Sequence, residues 1–120
     1  MTMTDSVAIP AGLLKAAETE ALGSFSQKIR ALFGGRVKGM RLFGSVIRDE
    51  RWEESDIDLL VLVEGVTWEE KRRVWDESTN VNIQYDTMLS PLVMTPEEFL
   101  ELRDREKRIA LDIDREGIDL

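Results

Sequence analysis

Two short strings in the chain could do chemistry together: Gly44-Ser45 and, after ten intervening residues, Asp56-Ile57-Asp58. Side chains alternate along extended backbone, so Asp56 and Asp58 project from one face about 6–7 Å apart. Leu60 and Leu62 follow on that face, which puts the carboxylates at the mouth of an apolar surface. Two carboxylates that close repel each other unless a cation lies between them. Magnesium suits the position, since it takes one or two carboxylates together with substrate phosphates. Taken alone, an Asp-x-Asp ahead of an apolar run also reads as a solvated strand end. Gly44-Ser45 adds a second ingredient. Glycine just after a strand lets a ligand approach the backbone closely, and serine beside it can cap a short helix whose free N–H groups face an anion. Gly-Ser is also an ordinary turn, but its combination with the acidic pair is specific and suggests a triphosphate cradle beside a cation site.

Composition narrows the chemistry further. The 120 residues suit one domain, read as a loose leader over 1–12 and a single domain over 13–120, and the apolar (42%) and charged (33%) fractions suit a globular fold. The chain has no cysteine and no histidine. Any metal must therefore be a hard one held by oxygens, and the usual general base is absent. No apolar run reaches the length of a membrane span, and Met1 to Pro10 lack the features of a signal peptide, so a cytoplasmic location is expected. The net charge of −8 repels phosphate backbones, which makes nucleic acid an unlikely partner. The short basic clusters Arg36-Lys38-Arg41 and Lys71-Arg72-Arg73 read as solvated faces.

The elements that must position these residues follow from apolar periodicity. Leu13 to Phe33 has a helical stripe (Leu22, Phe25, Ile29, Phe33) that Gly23 weakens and Gly34-Gly35 stops. Val37 to Phe43 reads as a strand ended by Gly44-Ser45, with a short helix after it. Ile57 to Val63, apolar except for Asp58, reads as a central strand buried on both faces. The capping box Thr67-Trp68-Glu69-Glu70 opens a helix toward Tyr85, supported by Val74 and Val81. Residues 87–94 read as a third strand, in which Pro91 favours an edge or a bulge. A second capping box, Thr95-Pro96-Glu97-Glu98, begins one last helix with the stripe Phe99, Leu102, Ile109 and Ile113, ended by Gly117. The fold class is α/β, with a small central mixed sheet of three or more strands flanked by helices.

The string from Gly44-Ser45 through Glu54-Ser55-Asp56-Ile57-Asp58-Leu59-Leu60-Val61 resembles the signature of the DNA polymerase β-like nucleotidyltransferases, in particular the minimal nucleotidyltransferases (MNT) of prokaryotes. Arg48 matches an arginine often found three residues after the serine, and the order of elements fits over roughly residues 20–116. The resemblance implies transfer of a nucleoside monophosphate, AMP from ATP, to an acceptor hydroxyl with two Mg²⁺ ions. Gly44 and Ser45 would hold the β- and γ-phosphates, Arg48 would add charge there, and Asp56 and Asp58 would bind the metals. It also implies a third carboxylate on a neighbouring strand that helps to bind metal and deprotonate the acceptor. Asp86 is the candidate, although the face of Met88 and Ser90 points where that acid is expected. Small members of the family resemble the MNT half of HEPN/MNT toxin–antitoxin pairs, so a HEPN-type protein partner is expected.

Two departures from the family pattern open an alternative. Asp49 stands where a glycine is common, and the third acid is not plainly in place, so a catalytically inactive nucleotide- or protein-binding module would keep the same fold. Among the tryptophans, Trp52 lies between the motif halves and could stack on a base or pack over the sheet edge. Trp68 and Trp75, seven apart on one helical face, read as core or interface.

Overall fold

The computed structural model describes residues 12–47 and 56–120. The first helix, α1 (Ala16–Phe33), starts at Lys15, whose backbone N–H donates to the Glu18 carboxylate at 2.8 Å. It runs without a break through exposed Gly23 and buries Ala21, Leu22, Phe25, Ile29 and Phe33. One exposed glycine is outweighed by five residues of tertiary packing. Strand β1 (Val37–Phe43) follows, and a 3₁₀ turn over Gly44–Val46 stands where the short helix is expected to begin, the remainder of that stretch lying outside the described residues. Strand β2 (Ile57–Val63) is the central strand that its apolar run predicts, with five of its seven residues buried.

Helix α2 (Trp68–Tyr85) begins with the expected capping box: Glu70 N–H donates to Thr67 Oγ1 and Thr67 N–H donates to Glu70 Oε1. Strand β3 (Leu89–Met94) starts two residues later than the sequence suggests. The expected single last helix is two, α3 (Pro96–Asp104) and α4 (Arg108–Glu116). They break at Glu106, whose φ of 54° is left-handed, where Lys107 N–H turns back to the Leu102 carbonyl. Residues 103–108 are all charged, so no apolar group there could hold a continuous helix against the sheet. The break also resets the stripe: Ala110 and Ile113 are buried, while Ile109 is exposed. A short strand that the sequence reading missed, β4 (Ile118–Asp119), closes the described chain.

The sheet order is β3-β2-β1-β4. Strands β1 and β2 are antiparallel, as are β1 and β4, whereas β2 and β3 are parallel, so the sheet is mixed and Pro91 lies on an edge strand as expected. Helices α1 and α2 cover one face, where Met40, Leu42, Ile57, Leu59, Val61 and Val93 join α1 and α2 in the larger core. On the other face a smaller core of Leu60, Met94, Phe99, Ala110 and Ile113 packs under α3 and α4. No described helix is long and apolar enough to cross a membrane.

Three residues of the two basic clusters, Arg36, Arg41 and Lys71, are committed to neighbours within the fold. Arg36 forms a two-pronged pair with Glu70 at 2.8 and 2.9 Å, Lys71 lies 3.8 Å from Glu98, and Arg41 approaches Asp119 at 3.0 Å and donates to the Gly117 carbonyl. The hydrogen bonds from Arg36, with that from Thr67 N–H, hold the Glu70 carboxyl down at about 2 from a usual 4.5. A depressed carboxyl contributes stability that is complete above its unfolded pKa and is lost as pH falls toward the folded one. Glu70→Gln should therefore lower the melting temperature at pH 7 and flatten its decline between about pH 4.5 and 2 relative to the wild type. Thermal melts across that range check the sign; an unchanged acid limb would show that the pair contributes nothing.

Candidate active site

Register places the acidic pair on the face of the smaller core. Asp58 sits opposite Phe43 of β1 and Ser90 of β3, and one row further in Leu60 sits between Arg41 and Leu92. Paired residues in a sheet share a face, so Phe43, Asp58 and Ser90 form one row at its end and Leu60 begins the apolar floor behind it. Asp56, exposed and immediately before β2, is on the same face by alternation. Backbone pairing continues to its neighbour: Ile57 N–H donates to the Met88 carbonyl at 2.9 Å.

Gly44 is fixed against this row. Its φ is +84°, a conformation that side-chain-bearing residues rarely adopt, and a Cβ there would lie 2.5 Å from Asp58 Oδ2 and 3.3 Å from its Cγ. Only glycine meets both conditions. The turn closes when Ile47 N–H donates to the Gly44 carbonyl at 3.1 Å, with Ser45 at its centre. The two halves of the sequence motif are thus one structure, because the strand end that carries Gly44-Ser45 is the antiparallel neighbour of the strand start that carries the carboxylates.

Asp86 occupies a different kind of position. It is the C-cap of α2, exposed and left-handed at φ 55°, with its N–H donating to the Asn82 carbonyl. Exposed Ser90 of β3 stands opposite Asp58, and half-exposed Met88 lies just before that strand. Among the described residues no group of three or more carboxylates converges to hold a metal ion, so Asp86 is not gathered into one cluster with Asp56 and Asp58. The donors present, two carboxylates and the Ser90 hydroxyl, are all oxygen, which suits a hard divalent cation that draws its other ligands from phosphate and water. Arg48, Asp49 and Trp52 lie outside the described residues, as does the proposed leader up to residue 11. Trp68 and Trp75 are not core residues: both are exposed, edge to face with ring centres 5.5 Å apart. The sequence reading overlooked Asn82, whose side chain binds the backbone of Leu89 beside Ser90. A polar residue inside a helix gives no local sign of such a tertiary bond.

The fit of Gly44 against Asp58 has a direct test. Gly44→Ala forces a left-handed alanine, costing about 1–3 kcal/mol, and pushes the new methyl into the Asp58 carboxylate. Urea denaturation should show that loss, and calorimetry should show weaker metal-dependent nucleotide binding even where the protein remains folded. Unchanged stability would mean that the turn has another conformation in solution.

Comparison with known proteins agrees with this geometry. Residues 27–120 match the family described as polymerase beta, nucleotidyltransferase. Two proteins of Methanocaldococcus jannaschii, each named "putative protein adenylyltransferase", are 31% identical over 75 residues (62% of this chain, 76% of the relative) and 33% identical over 82 residues (68% and 78%). A solved structure described as a "putative minimal nucleotidyltransferase" superposes with a TM-score of 0.53 at 28% identity, covering 88% of this chain and 97% of the other. A toxin–antitoxin crystal structure with AMP-PNP shares the fold, with a TM-score of 0.53 at 19% identity over 80% of this chain and 69% of its own. With the Gly44 turn seated on the Asp58 strand and the family match spanning the whole sheet, the chain belongs to the polymerase β nucleotidyltransferases and is of their minimal type.

Proposed function

We propose that this nucleotidyltransferase moves AMP from ATP to a hydroxyl on a protein acceptor, using Mg²⁺. The observation that carries the reading is the close approach of Gly44 to Asp58, which sets the Gly44-Ser45 turn directly beside the acidic pair. In this reading Gly44 and Ser45 receive the β- and γ-phosphates through the turn, with Arg48 adding positive charge. Asp56 and Asp58 would hold two magnesium ions, which when bound supply Lewis acidity to the α-phosphate and neutralise the leaving pyrophosphate. The acceptor oxygen bonds to the α-phosphorus as the bond to the bridging oxygen breaks, and pyrophosphate departs with that electron pair. Asp86 is at the end of the sheet where β2 and β3 both begin, the end that also presents Asp56. Its place in the reaction is therefore on the acceptor side, taking the hydroxyl proton.

The protein acceptor is supported by the names of the two relatives and a protein partner by the fold shared with the toxin–antitoxin structure; that this partner is of the HEPN type follows from the sequence resemblance alone. ATP is the nucleotide this favours, and the expected location is the cytoplasm. A second reading is favoured by Ser90 on β3 and Met88 just before it, which put no charge beside the acidic pair. In that case the chain binds nucleotide without turnover and acts by contact.

Isothermal titration with Mg²⁺ and a non-hydrolysable ATP analogue separates these ideas. The wild type should bind in a metal-dependent manner, and Asp56→Asn/Asp58→Asn should lose at least tenfold in affinity. Asp86→Asn should bind normally but transfer no labelled AMP to a partner protein. Binding without transfer by the wild type would favour the module; no binding of any of the four nucleotides would sink the enzyme reading.

A further inference from the structure

Among the described residues no strand lies on the outer side of β3, yet its backbone at the start of the strand is paired. Asn82, near the end of α2, reaches it with both ends of its amide: Leu89 N–H donates to Oδ1 at 2.8 Å and Nδ2 donates to the Leu89 carbonyl at 3.0 Å. This is the exchange of bonds that one residue of an adjacent strand would make. The same Oδ1 accepts from the Thr87 hydroxyl at 3.0 Å, and the Asn82 carbonyl accepts from Thr87 N–H at 3.1 Å. Two residues further on, Pro91 has no N–H to offer, and its carbonyl accepts from Trp75 Nε1 at 3.3 Å.

Asn82 thus holds Thr87 on one side of Met88 and Leu89 on the other. Met88 between them directs its carbonyl inward to Ile57 N–H at 2.9 Å. Ile57 is fully buried and separates Asp56 from Asp58. A continuous set of bonds therefore runs from the Asn82 amide through Thr87, Met88 and Leu89, where the chain enters β3, to the peptide between the two carboxylates. We infer that Asn82 is a positioning residue: it sets the place of Met88 and so fixes the peptide from which Asp56 and Asp58 project. Because Asp56 precedes the strand, its direction depends on that single bond more than Asp58 does, which is also braced by Gly44. Asn82 touches neither acid, and its influence on nucleotide binding rests on the function proposed above.

The test uses two readouts and a matched control. Thr67→Ala removes a cap at the far end of α2, and like Asn82→Ala it deletes side-chain hydrogen bonds, so the two are compared at equal distance below their melting temperatures. By amide hydrogen exchange, Asn82→Ala should speed exchange at Ile57 and Leu89 at least fivefold over Thr67→Ala, while Leu60, whose N–H faces β1, stays level between them. Asn82→Asp retains the acceptor for Leu89 N–H and should fall between wild type and Ala, a gradation that also serves if the alanine variant folds poorly. By calorimetry, Asn82→Ala should weaken binding of the Mg²⁺–ATP analogue about five- to tenfold with Thr67→Ala unchanged. Equal Ile57 exchange in the two variants, or equal loss of nucleotide affinity, would overturn the inference. If the wild type binds no nucleotide, the proposed function fails on its own, and the exchange data still decide whether Asn82 holds the peptide between the acids.

Discussion

The site depends on one close approach, that of the Gly44 backbone to the Asp58 carboxylate. Two parts of the chain separated by thirteen positions meet there because β1 and β2 are antiparallel neighbours with Phe43 opposite Asp58. A side chain at 44 would need the volume that the carboxylate holds, and a different φ as well. The register of the sheet, the direction of Asp58 and the shape of the Gly44 turn are consequently one constraint. The apolar packing on both faces serves to keep that register: a slip of one residue would exchange Asp58 with Leu59, placing a carboxylate in the larger core.

The two faces divide the work unequally. Helices α1 and α2 cover a large continuous core that contains most of the buried aliphatic residues of β1 and β2. The opposite face is only partly covered, by the short helices α3 and α4 over Leu60, Leu92 and Met94. It is on this less covered side, just beyond the edge of the smaller core, that Asp58 and Ser90 emerge. An active site needs both a rigid base and room for a substrate, and this arrangement gives the same strand both surroundings, with Leu59 fully enclosed and Asp58 half open.

Much of this was legible from particular residues. The dense run Ile57–Val63 could only be a central strand, two Thr-x-x-Glu boxes marked the starts of α2 and α3, and Pro91 marked an edge. The two halves of the motif meet because β1 and β2 pair antiparallel, and the sequence announced this as two strands with Gly44-Ser45 at the end of one and Asp56-Ile57-Asp58 at the start of the next. Other features were not visible, for physical reasons. Glu106 breaks the last helix through a left-handed backbone that no glycine or asparagine announced. The strand β4 is two residues long and owes its existence to pairing with Arg41 and Leu42, not to any propensity of its own. Trp68 and Trp75 have the spacing of a buried stripe, but Val74, Ser78 and Val81 supply the side of α2 that meets the sheet. Asn82 was silent because its partners are backbone atoms seven residues away.

The self-paired border of β3 has a consequence for how this small domain meets other proteins. A strand whose outward carbonyls and amide are answered by an asparagine, an indole and a proline ring offers no ladder for a foreign strand to climb, at least from Leu89 to Pro91. Copies of the chain are thereby kept from zipping together along that flank, where exposed Trp68 and Trp75 would otherwise add apolar attraction. Recognition on this side is left to the shapes and chemistry of side chains, which discriminate between partners as bare backbone does not.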